Sequence, residues 1–74
     1  MKQVVYFITK EDELIFAQNF KYDTKEEAEK AIKNTYENVK TQDNIKDIQY
    51  VENKLVFTDT AENDSDEIHT MLIK

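Results

Sequence analysis

Apolar positions along the chain fall into short runs whose period changes once. Residues 3–9, Gln-Val-Val-Tyr-Phe-Ile-Thr, are rich in β-branched and aromatic types, which at this length predicts a strand. Residues 10–13 are all charged and predict a turn. Residues 14–22 predict a second strand with Leu14, Phe16, Phe20 and Tyr22 on one face at period two, so the two runs form a hairpin. The period then lengthens. Ala28, Ala31, Ile32, Thr35, Tyr36 and Val39 recur at three- and four-residue spacing, predicting a helix from about Thr24 to about Lys40. Thr24 and Glu27 have the spacing of a capping box, in which the Thr hydroxyl accepts from the backbone N–H three residues on. Residues 47–52 and 54–59 predict a second hairpin turning at Asn53, a residue type that tolerates the left-handed backbone of a tight turn. The run from Ile68 to Lys74 predicts a fifth strand. The expected fold is α+β and a single domain over residues 1–74. It is a ββαββ order with a further C-terminal strand, giving one antiparallel sheet of four to five strands with one helix packed on one face.

The strands are apolar on more sides than one helix can cover. A sheet wet on its second face alternates apolar and polar residues. Here Val4, Tyr6 and Ile8 are opposed by Val5 and Phe7, Leu55 and Phe57 by Val56, and Ile68 and Leu72 by Met71 and Ile73. Two expectations stand side by side: the second face is covered by the C-terminal strand or loops or carries only scattered exposed apolar residues, or it is an interface for another protein or for a second copy of the chain.

Composition narrows the chemistry. The chain contains no Gly, no Cys, no Pro and no Trp. Without cysteine there are no disulfides, thiolate metal sites or thiol nucleophiles, and without glycine there is no phosphate-cradling loop. A chain of 74 residues buries only roughly 60% of its unfolded surface, so a partner that adds burial is expected to matter. No run approaches a membrane span, and the N-terminal segment lacks the pattern of a secretory signal, so a cytoplasmic protein without membrane contact is expected.

The formal net charge of -6 is unevenly placed, because residues 59–67 alone carry five carboxylates and no cation. All ten basic residues are lysine. The absence of arginine and of a basic face argues against direct nucleic-acid binding. Glu62, Asp64 and Asp66 alternate like the opening of a calcium loop. Glu67, however, stands where such a loop needs glycine, and Ile73 stands where it needs its bidentate glutamate, so no metal site is expected. His69 is the only histidine. With adjacent Thr70 and nearby Ser65, Asp66 and Glu67 it supplies triad-like residue types, yet adjacent residues along a strand point to opposite faces and a triad needs convergence in space, so a surface histidine and no catalytic group are expected. No cofactor is expected. The expected contact residues are Asp59, Glu62, Asp64, Asp66 and Glu67, steering towards a basic surface, with Val5 and Phe7 supplying apolar contact; the alternative is that 59–67 is only a solvated hairpin loop.

In its small size, its richness in Lys, Asn, Ile, Asp and Glu, and its lack of Arg and of catalytic motifs, the chain resembles the small acidic accessory proteins of bacteriophages and other mobile elements. Anti-CRISPR proteins and nucleic-acid mimics are examples. The resemblance implies a non-enzymatic inhibitor in a bacterial cytoplasm, binding a larger host or defence protein whose surface normally holds nucleic acid. The alternative expectation is a homo-oligomeric, homodimeric for instance, structural or scaffolding module.

Overall fold

A computed structural model describes residues 1–60 and 66–74. In chain order the elements are β1 (Lys2–Lys10), β2 (Glu13–Tyr22), α1 (Lys25–Val39), β3 (Ile45–Val51), β4 (Lys54–Asp59) and β5 (Glu67–Ile73). The strands form one antiparallel sheet in the order β2-β1-β5-β4-β3, and the fold is α+β. Two sequence-local hairpins, β1–β2 and β3–β4, thus flank the C-terminal strand, which joins them.

The helix begins where its cap dictates. Thr24 is extended, and its hydroxyl accepts from the Glu27 N–H at 3.2 Å. Glu26 and Glu27 in the first turn complement the positive end of the helix dipole. Ala28, Ile32 and Val39 are buried in one cluster with Val4, Leu55, Phe57 and Met71. The two hairpins and β5 therefore share a core with one stripe of the helix. Tyr36, at the edge of that stripe, stacks on Tyr50 with ring centroids 4.6 Å apart.

Register fixes the faces, because residues directly opposite in an antiparallel pair project to the same side. Val4 faces Ile73, Tyr6 faces Met71 and Ile8 faces His69, while across β5 Met71 faces Leu55, His69 faces Phe57 and Glu67 faces Asp59. This is the core-bearing face. Val5 faces Leu72, Phe7 faces Thr70, and Val56 also faces Thr70, so these residues belong to the opposite face.

Three local expectations are corrected. A bulge in the β1–β2 register between Ile8 and Thr9 pairs Phe16 with Ile8 and Leu14 with Thr9, so Leu14 falls out of phase with Phe16 and Phe20. In the second hairpin the positive φ lies at Glu52 (36°) and not at Asn53. His69, expected on the surface, is buried.

Candidate functional site

The polar end of the core-bearing face gathers four side chains around His69. The imidazole is sandwiched in the sheet, stacked on Phe57 at 4.8 Å between centroids, with the Tyr6 ring 5.8 Å away. Its Nδ1 shares a 2.7 Å hydrogen bond with the Tyr6 hydroxyl. Its Nε2 points to the carboxylates. Glu67 Oε1 lies 3.5 Å away and Asp59 Oδ2 4.0 Å away. Strand geometry explains the convergence, since Glu67 and His69 are two residues apart on β5, and Asp59 is directly opposite Glu67 on β4.

The carboxylate of Asp59 is itself held. Asn44 Nδ2 donates to its Oδ1 at 2.8 Å, and the Asn44 carbonyl accepts from both the N–H and the hydroxyl of Thr60, each at 2.8 Å. The loop before β3 is thereby stapled to the end of β4, with Oδ2 turned towards His69. Burial raises the Tyr6 phenol above its ordinary pKa, and the charges of Glu67 and then Asp59 raise it further.

The five acids of the 59–67 segment therefore do different things. Asp59 and Glu67 are strand residues, half-buried and turned to His69 rather than part of a solvated loop. Asp66 is exposed and lies 3.6 Å from the Lys46 ammonium, an exposed pair that contributes little to stability. Glu62 and Asp64 lie outside the described residues. Val5 and Phe7 sit side by side with Leu72 and Thr70 on the face away from the core, half-buried. The acids and the apolar residues expected to act together are thus split, with Asp59 and Glu67 on one face of the sheet and Val5 and Phe7 on the other.

Sequence inspection did not find this cluster, although a signal was present. An acid, one residue and a histidine on a strand, opposite an acid at the end of the preceding strand, place three ligating side chains on one face. The ligand atoms of Asp59, Glu67 and His69 all lie within 4.8 Å of one another.

A second surface feature is the outer strand β2. Leu14, Ile15 and Phe16 are 63%, 49% and 42% exposed, and Phe20 is also exposed. The strand is ten residues long, carries no proline, and among the described residues has one side of its backbone ladder unpaired. No helix among the described residues is long and apolar enough to cross a membrane.

Comparisons with protein families, with curated proteins and with solved structures give no match. What the chain does must therefore be argued from these surfaces.

Proposed function

We propose that the chain is a non-enzymatic protein-binding module that adds its β2 edge to a partner and covers the apolar face around Val5 and Phe7 in doing so. The observation that carries this reading is the exposure of Leu14, Ile15 and Phe16 on a long outer strand. Natural edge strands are usually short, charged or interrupted, because an open ladder with apolar side chains recruits another strand. On this reading α1 covers only the face that carries Val4, Leu55 and Met71, and the opposite face is left for contact. The net charge of -6 favours a basic partner. A larger protein whose basic surface normally holds a polyanion fits that requirement, and binding there inhibits it by competition. This is the role implied by the resemblance to phage accessory proteins.

A second reading, a homo-oligomeric module, is favoured by the same strand, since two copies of an antiparallel edge can pair with each other. The variant Leu14→Lys with Ile15→Lys separates the possibilities, because both side chains are exposed and the fold should survive. Proteins captured from a bacterial lysate by the wild-type chain and lost with this variant support partner binding. Neutralising Glu62, Asp64 and Asp66 should then flatten the salt dependence of that capture. A dimer seen by light scattering that the variant abolishes favours self-association. Identical capture and identical mass for both chains would remove the edge strand from any function.

A further inference from the structure

We propose that Asp59, Glu67 and His69 form a binding site for a divalent transition-metal cation of the zinc class, independent of the β2 edge. The first ground is an unsatisfied nitrogen. His69 retains only 9% exposure, and its Nε2 is buried with no hydrogen-bond partner among the described residues. Leaving a buried polar atom unpaired is costly, so such an atom in a native core calls for an explanation. Here the atom is aimed between two carboxylates.

The second ground is charge. Glu67 and Asp59 are directly opposite each other in the β4–β5 ladder, a placement in which like charges repel. A cation between them turns that repulsion into attraction and satisfies Nε2 at once. Distances agree with this. Zinc bonds of about 2.0–2.2 Å in tetrahedral array space the ligand atoms roughly 3.3–3.6 Å apart. Nε2 stands 3.5 Å from Glu67 Oε1 and 4.0 Å from Asp59 Oδ2, and the three ligand atoms lie within 4.8 Å of one another, so rotamer adjustments of up to about 1.5 Å close the set.

The third ground is the outer layer of hydrogen bonds. A ligating imidazole donates its other N–H to an acceptor, which fixes the tautomer, and a ligating carboxylate is itself hydrogen-bonded. Both conditions are met. The Tyr6 oxygen is 2.7 Å from Nδ1, placed to accept its proton, and Asn44 holds the far oxygen of Asp59. One imidazole with two carboxylates suits zinc, manganese, iron(II) or cobalt better than calcium or magnesium, which prefer oxygen alone. The chain supplies three ligands, and water completes the tetrahedron.

Zinc chloride titrated calorimetrically into the chelator-dialysed full chain tests this. Saturable uptake of one zinc per chain is expected, with a shift of the His69 Nε2 resonance in the imidazole nitrogen spectrum and a higher melting temperature. Asp59→Asn with Glu67→Gln, nearly isosteric, should weaken zinc binding by more than about tenfold, since it removes direct ligands where losing an outer-layer partner alone costs about tenfold or more. Glu11→Gln with Glu13→Gln removes as much charge elsewhere and should leave binding unchanged. Should the first variant fail to fold, the His69 nitrogen shift in the wild-type chain decides alone. Absence of saturable one-to-one uptake, an unmoved Nε2 resonance, or equal affinity in the Asp59/Glu67 variant overturns the proposal.

Discussion

Tyr6 shows how one residue can report on a cluster. Its hydroxyl bonds to His69, and its proton is held by burial and by the charges of Glu67 and Asp59. In the unfolded chain the phenol ionises near its ordinary value of about 10. The folded chain keeps the proton to higher pH, so Tyr6 contributes stability that is fully present below about pH 10 and is lost as pH rises through its folded pKa. In metal-free protein, Glu67→Gln should lower the Tyr6 pKa, read as the difference in tyrosinate absorbance against Tyr6→Phe, and should make the alkaline loss of stability smaller. An unchanged Tyr6 titration in Glu67→Gln would show that the carboxylate does not face the phenol. None of this grouping was readable from residues considered singly. From its sequence neighbours alone His69 reads as a surface strand residue, whereas its partners Tyr6, Phe57 and Asp59 come from other strands.

At the scale of elements, local pattern carried far where local physics decides. The helix falls between Thr24 and Lys40 because its cap and its apolar period are written in consecutive residues. The turns were less legible because the chain has no glycine to mark them. Glu11 (φ 52°), Asp12 (φ 64°), Asp47 (φ 54°) and Glu52 (φ 36°) all adopt positive φ, which side-chained residues resist. Asn53 was the natural candidate by type, yet Glu52 takes the left-handed position. The β1–β2 hairpin turns on Glu11 and Asp12 with positive φ at both, the geometry of a type I′ turn that favours Asn-Gly. Asp12→Gly should therefore stabilise the chain by roughly 1 kcal/mol, the order of the left-handed penalty for a residue with a Cβ. Urea denaturation measures it, and a destabilised variant would show that Asp12 makes a compensating contact. The bulge that shifts Leu14 is likewise invisible to a period-two reading, since an inserted residue changes phase without changing residue types.

The whole molecule depends on its last strand. Every residue from Glu67 to Ile73 pairs with β1, and Glu67 to Leu72 pair with β4, so among the described residues β5 is the only connection in the sheet between the two hairpins. Three consecutive residues, His69, Thr70 and Met71, are buried: His69 and Met71 face the core, and Thr70, on the other face, lies between Phe7 and Val56 of the two flanking strands. The sequence held a trace of this in the apolar residues on both sides of 68–73, the mark of a central strand. It held nothing that specified strand order, because pairing across some sixty positions leaves no local pattern. The consequence is a strongly cooperative fold in which neither hairpin has a core of its own. Isolated two-stranded hairpins are at best marginally stable in water. Removing β5 also removes Met71 from the cluster with Val4, Ile32 and Leu55, and leaves the inner edges of both β1 and β4 unpaired. A chain ending at Asp66 should therefore show no cooperative thermal transition by circular dichroism. Retention of such a transition would mean that α1 and one hairpin fold without the central strand. Adding the peptide 67–74 back to that truncated chain should restore the transition in proportion to peptide concentration, as binding that completes a fold stabilises it by mass action.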